Sequence, residues 1–273
     1  MSPCSKHSAK IRTHWWPALT CELARGLVSV VLLLIALGST GAHAQSSFTD
    51  ADQRAIERLI RNYIMNNPEV IVESVQRMGT REQAANQQKQ RQVLADLREA
   101  LENDSGSHVG GNPDGDVTVV EFFDYRCTYC KRFLPNLADL LRKDANVRIV
   151  FKEYPILGPD SVVAARAALA ARLQNKDLYV PFHNALMESR GVFSKRRILD
   201  IASEVGLNTD QLQRDMASGD IEGIISRNYA HAKALGIQGT PGFVIGDQVV
   251  PGYLNGEQLA ALIEEARKSC LTC

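Results

Sequence analysis

Residues 51 to 102 carry apolar side chains at helical rather than strand spacing: Ile56, Leu59, Ile60, Tyr63 and Ile64, then Val70, Ile71, Val75 and Met78, then Val93, Leu94, Leu97 and Leu101. Pro68 after Asn66-Asn67 predicts a break between a first and a second helix, and Met78-Gly79-Thr80 predicts a break before a third. Residues 81 to 92 are almost wholly polar. Each helix therefore carries one apolar stripe that it cannot bury on itself. That predicts homo-oligomerisation through residues 51–102. An arm folded back on its own body, or a flexible stalk, would be the alternatives. Pro68 and the polar stretch argue against a regular long coiled coil.

Residues 103 to 115 are dense in Gly, Ser, Asn and Pro and read as a linker. Beyond it, residues 117 to 124 (VTVVEFFD) form a β-branched and aromatic run that predicts a buried strand. A helix is expected from about Cys127 to Lys143, and a second strand over Val147 to Tyr154, completing a β-α-β unit with parallel strands. Helical patterns fill 161 to 235. Short strands at 243–245 and 248–250 flank the turn Gly246-Asp247, and a closing helix spans 256 to about 268. The fold class expected is α/β, preceded by an all-helical arm.

At the other end, Lys6, Lys10, Arg12 and Arg25 precede the apolar run Leu27 to Leu37, followed by Ala42-His43-Ala44. This order predicts a signal peptide over residues 1–44, cleaved after Ala44, and an exported protein. The apolar run falls short of the roughly 20 residues that span a bilayer. The whole chain of 273 residues balances 31 basic against 31 acidic side chains; removing the first 44 leaves 229 residues with a charge of −3. Neither state has the basic field that nucleic-acid binding needs, so no nucleic-acid partner is expected. Cys4 and Cys21 leave with the leader, and Cys127-Thr-Tyr-Cys130 and Cys270-Leu-Thr-Cys273 remain, addressed to an oxidising compartment.

Cys127 falls at a helix start, where unpaired N–H groups and the positive end of the macrodipole favour an anion. A thiolate there attacks, and Cys130, one turn in, resolves the mixed disulfide. A bridge between them would constrain the unfolded chain by roughly 2 kcal/mol against about 3 for a 15-residue loop, so the pair suits redox exchange better than stapling. Zinc would need more ligands than one Cys-x-x-Cys provides, and 139 residues intervene before the second pair. No metal and no cofactor is called for. His183 and His231 read as packing or surface residues. Cys270 and Cys273 suggest a local terminal disulfide, an intermolecular or regulatory thiol pair, or an auxiliary relay or metal clip.

Residues 121–130 (EFFDYRCTYC), followed about 110 residues later by 239–246 (GTPGFVIG), resemble the DsbA-type thioredoxin-fold thiol-disulfide oxidoreductases of the bacterial periplasm over about residues 115 to 268. The resemblance implies a thioredoxin fold with a helical insertion at about 160–235, a catalytic domain over 116–273, and a cis peptide at Thr240-Pro241 facing the cysteine pair. The Thr240 backbone would then offer an edge to a substrate peptide. Thr128, Tyr129 and Thr240 are similar to the isomerase and reductase branch. The helical arm over 45–102, with Asn67-Pro68-Glu69-Val70, resembles the ScsC-like proteins associated with copper tolerance. Glu121 and Lys152 look like the family's acid and base pair beneath the active site, although strict alternation would put Lys152 on the face of Arg148 and Val150.

Three functions follow as candidates. The first is an oligomeric periplasmic disulfide isomerase or reductase, acting on unfolded or mis-bridged exported proteins and kept reduced by a membrane thiol reductant. The second is a DsbA-like thiol oxidase served by a membrane oxidant. The third is a non-enzymatic protein that binds copper or clients.

Overall fold

The computed structural model describes residues 49–270, the side chain at 270 excepted. It falls into two compact units, one ending at Glu73 and one beginning at Ser74. The first unit contains helix α1 (Asp50–Asn66), opened by a capping box in which Thr49 and Asp52 satisfy each other's backbone N–H groups. The chain turns at Pro68 as the pattern predicts, with Asn67 Nδ2 donating to the Tyr63 carbonyl at 2.8 Å. The stripe of α1 faces solvent within the single chain: Leu59 is 70% exposed and Tyr63 57%.

Helix α2 (Glu69–Glu102) runs unbroken through Gly79, where a second break was expected. One glycine costs about 1 kcal/mol relative to alanine, and the flanking Arg, Glu, Gln, Ala and Lys are good helix formers, so the segment stays helical. Its last turns are not an exposed arm. Leu94 and Leu101 are fully buried in a cluster with Val120, Phe122, Val150, Tyr154, Leu235 and Val244. The expected boundary at 102 is therefore too late, because the C-terminal part of α2 belongs to the core of the second unit.

The linker reading of 103–115 also needs correction. Residues His108–Gly111 form strand β1, antiparallel to β3 (Val147–Glu153). The glycines serve close approach: at Gly111, φ is +67° and a Cβ would lie 2.4 Å from the Val147 carbonyl oxygen. The remaining elements are β2 (Val117–Phe123), α3 (Thr128–Lys143), α4 (Pro159–Gln174), α5 (Tyr179–Glu188), α6 (Lys195–Val205), α7 (Thr209–Asp215), α8 (Gly219–Ala234), β4 (Gly242–Ile245), β5 (Gln248–Pro251) and α9 (Gly256–Cys270).

The sheet order is β1-β3-β2-β4-β5, with β2 and β3 parallel and every other pair antiparallel. Alternation divides each central strand between two cores. Val119, Phe123, Ile149 and Phe151 face one cluster with α3 and the helical insertion α4–α7, while Val120, Phe122 and Val150 face the cluster built with α2 and the end of α8. Within the insertion, helix α4 packs closely against its neighbours because its buried positions are mostly alanine.

Candidate functional site

Strand β2 ends at Phe123, and the next residues turn sharply into α3. Asp124, 1% exposed, makes that turn. Its Oδ1 accepts from the Arg126 N–H at 2.7 Å and the Ser161 hydroxyl at 2.7 Å, its Oδ2 accepts from the Leu157 N–H at 2.9 Å, and its carbonyl accepts from the Cys127 N–H at 3.0 Å. One carboxylate thus ties the strand end to the loop after β3 and to the start of α4. The turn leaves Cys127 as the N-cap of α3, in extended backbone with φ −73° and ψ 117°. Cys127 and Cys130 are both free thiols, 6% and 1% exposed.

The Thr240-Pro241 peptide is cis. The Cys127 thiol donates to the Thr240 carbonyl at 3.1 Å, and the Gly252 N–H donates to the Pro241 carbonyl at 2.9 Å. Residues 113 positions apart in sequence thus meet at the sulfur. Thr128 and Tyr129 are exposed on the first turn of α3. The Arg132 guanidinium lies 5.7 Å from the Tyr129 ring centre, and the Tyr253 ring lies 6.1 Å from it.

The two sulfurs are electrostatically unlike. The Cys130 thiol hydrogen-bonds the Cys127 sulfur, and the backbone N–H groups of Cys130 and Tyr129 add to this; against the opposing effect of burial, they lower the Cys127 pKa to about 6. Burial, that same bond to Cys127 and the Glu121 carboxyl push the Cys130 thiol far up. Glu121 is buried on the Cys127 face of β2, and burial followed by repulsion from the Cys127 thiolate raises it to about 8.

Lys152 does not join Glu121. In the parallel register Glu121 stands opposite Phe151, and Lys152 stands opposite Phe122 on the other face of the sheet. There its Nζ donates to Asp104 Oδ2 at 3.1 Å and to the Ala100 carbonyl at 3.2 Å, while burial lowers its pKa. The expected acid and base pair is therefore not made, and strict alternation along β3 is the reason. Phe151 takes the place facing Glu121.

A second buried carboxyl, Glu153, had no sequence signal beyond its place at a strand end. Its Oε1 accepts from the hydroxyls of Tyr125 and Tyr179, each at 2.9 Å, and burial holds its pKa well above the usual range. The Tyr125 hydroxyl also meets His183 Nδ1 at 3.1 Å. His183 is 2% exposed, a packed core residue, and burial drives its pKa down to about 3. The predicted leader and Cys273 lie outside the described residues, as does the side chain of Cys270.

Residues 118–264 match the sequence profile of the DSBA-like thioredoxin domain. The chain belongs to the DsbA-like thioredoxin family. Residues 52–85 of this DsbA-like protein match the copper resistance protein ScsC N-terminal domain. Among solved structures, the DsbA-like protein is 50% identical to a thioredoxin-like oxidoreductase from Silicibacter pomeroyi, with 63% of this chain and 98% of that one covered and a TM-score of 0.61. The catalytic domain of Proteus mirabilis ScsC is 31% identical, with 65% and 98% covered and a TM-score of 0.60.

Among curated relatives, a Na(+)/H(+) antiporter NhaA 1 of Salinispora arenicola is 30% identical over 161 residues, which are 58% of this chain and 24% of that protein. The probable disulfide bond formation protein D of Bacillus cereus is 28% identical, with 52% and 72% covered. The DsbA-like protein spans about a quarter of the length of the antiporters that it matches first.

Proposed function

We propose that this chain is a periplasmic thiol-disulfide oxidoreductase of the isomerase and reductase type, with Cys127 as nucleophile and Cys130 as resolving thiol. The observation that carries the thiol-exchange chemistry is the split between the two sulfurs, and the isomerase and reductase direction rests on the resemblance of Thr128, Tyr129, Thr240 and the helical arm. Cys127, at about 6, is an anion at neutral pH, while Cys130 keeps its proton beside it. In the proposed cycle the Cys127 thiolate attacks one sulfur of a client disulfide; the S–S bond breaks, and the departing client thiolate takes a proton from solvent.

In reduction, Cys130 gives its proton to Glu121 and attacks the Cys127 sulfur, forming the Cys127–Cys130 disulfide and releasing the second client thiolate. In isomerisation, a thiolate of the client displaces Cys127 instead. Glu121 suits the proton transfer, because the repulsion that helps hold it near 8 comes from the Cys127 thiolate and disappears once Cys127 is in a mixed disulfide. Its carboxylate then forms more readily. A membrane thiol reductant would return the pair to the dithiol.

Thr240 and Pro241 would present a backbone edge to the client, and Thr128 and Tyr129 would border the thiolate. Lys152 has no part in this scheme. The exposed stripe of α1, with Ile56 at 44%, Leu59 at 70% and Ile60 at 51%, together with the ScsC N-terminal match, supports assembly through the helical arm. No helix among the described residues is long and apolar enough to cross a membrane.

One observation favours the oxidase reading. A stabilised thiolate at Cys127 stabilises the dithiol state, which makes the disulfide form more oxidising. The redox state in the cell decides: a pair trapped as dithiol supports the isomerase, and a pair trapped as disulfide overturns it. Refolding of scrambled ribonuclease by wild type and by Cys127→Ser tests the nucleophile directly.

A further inference from the structure

Several exposed basic side chains of the second unit lie on the loop and helix that dock beside the cysteine site. Tyr125 and Lys131 bracket the pair in sequence, and both touch the loop between α5 and α6. Lys131 Nζ donates to the Ser189 carbonyl at 2.5 Å and lies 5.6 Å from the Phe193 ring centre. The Tyr125 and Phe193 rings are 6.4 Å apart. This loop is therefore docked on the start of α3, and it brings Arg190 and the first turn of α6, Lys195-Arg196-Arg197, to the same edge.

All four of these cations are exposed, as are Arg126 and Arg132 on the α3 side. Ser194 caps α6 by accepting from the Arg197 N–H, and the first turn of the helix contains no acid. Three consecutive cations thus stand at the positive end of a helix dipole, where Asp or Glu would stabilise the helix. The acids on α5 and α6 are Glu188, Asp200 and Glu204, all outside the first turn of α6 and fewer than the cations. The chain as a whole is balanced at 31 and 31, so this edge is a local excess and not a reflection of bulk charge.

We propose that the edge formed by Arg190 and Lys195–Arg197, beside the start of α3, receives acidic client segments, so that exchange at Cys127 favours disulfides flanked by Asp and Glu. The proposal rests on the thiol-exchange reading above. The fixed cations attract the acidic segment during encounter and hold it alongside the sulfur, a long-range effect that salt screens.

The test uses the reduced protein and three symmetric disulfide-linked peptides that differ only in the residues flanking cysteine, which are Glu, Gln or Lys. At about 0.05 M salt, the second-order rate constant for oxidation of the protein by the Glu peptide should exceed that for the Lys peptide by about tenfold, and at about 0.5 M salt the ratio should fall to within about twofold. The double substitution Lys195→Glu and Arg196→Glu should invert the ratio at low salt. It should also preserve or raise the thermal midpoint, because acids suit the first turn of a helix.

Equal rates for the Glu and Lys peptides, or a preference that survives both high salt and the double substitution, would overturn the inference. If no peptide reacts, the thiol-exchange reading fails first and takes this one with it. Sedimentation with vesicles containing about one-third phosphatidylglycerol, lost in the double variant and unaccompanied by any peptide preference, would assign the edge to a membrane surface and overturn the client reading.

Discussion

Removing the arm tests where the second unit begins. If the first 73 residues are deleted, the chain keeps Leu94 and Leu101, 2% and 0% exposed, against Val120, Phe122 and Val150. If the first 102 are deleted, both leucines go. Each fully buried leucine contributes about 1.5–3 kcal/mol, so the pair alone is worth about 3–6 kcal/mol. The same cut strips the cover from one face of β2 and β3 and removes the Ala100 carbonyl that accepts from buried Lys152. Against a total stability of about 5–15 kcal/mol for an ordinary domain, the two leucines alone take between about a fifth and all of it, and the uncovered sheet face adds to the loss. We expect 74–273 to unfold in one cooperative thermal transition and to reduce insulin, and 103–273 to show no cooperative transition in near-UV circular dichroism. A cooperative transition for 103–273 within about 5 °C of that of 74–273 would refute the placement of α2 in the core.

Four further outcomes are expected. Thiolate absorbance at 240 nm should titrate with a midpoint at about 6 from Cys127, and Cys130→Ala should move the midpoint up, since the Cys130 hydrogen bond is the largest lowering influence. Because the Cys127 pKa is depressed in the folded dithiol from an ordinary 9.0, its thiolate adds stability that is fully present above 9 and lost as pH falls through 6; the disulfide form has no such contribution, so the melting gap between dithiol and disulfide forms should shift in favour of the dithiol as pH rises across that window. Glu121→Gln should slow resolution of the mixed disulfide by about 10²-fold and leave the first attack nearly unchanged, as read by rapid acid quench. Lys152→Met, which takes one cation from the mostly buried Asp104 carboxylate but leaves it Arg227, the Gly106 N–H and the Ser107 hydroxyl, should destabilise by about 1–3 kcal/mol in urea while leaving the Cys127 titration where it was, whereas a shift of that titration would restore Lys152 to the active site.

The cysteine pair was legible because it is local, two thiols one turn apart at a helix start. The placing of the Thr240-Pro241 turn against Cys127, 113 positions away, came from the family resemblance and not from neighbours in sequence. The order of the elements from β2 onward was likewise legible, since period and breakers fix them from within, whereas strand β1 and the unbroken course of α2 were not. What could not be read was set by register and by distance. Whether Lys152 or Phe151 faces Glu121 depends on how β2 aligns with β3, and a one-residue slip exchanges the faces. The division of the arm was hidden because Leu94 and Leu101 show the same spacing as Ile56 and Leu59, and only the sheet decides which stripe is covered. Glycine density at 106–115 signals both hinges and tight strand pairing, and the pattern does not separate them.

Asp124 bears on how freely this scaffold can be recombined. Its carboxylate reaches Ser161 and the Leu157 N–H, so the register of the turn before Cys127 is held in part by the root of the helical insertion. The insertion is therefore not an interchangeable cassette. A chimera that imports another relative's segment 157–235 without a hydroxyl matching Ser161 would inherit a loosened turn and a blunted nucleophile, although every residue of the Cys-Thr-Tyr-Cys motif was kept. Grafts across this family should be cut so that the strand end and the insertion root travel together.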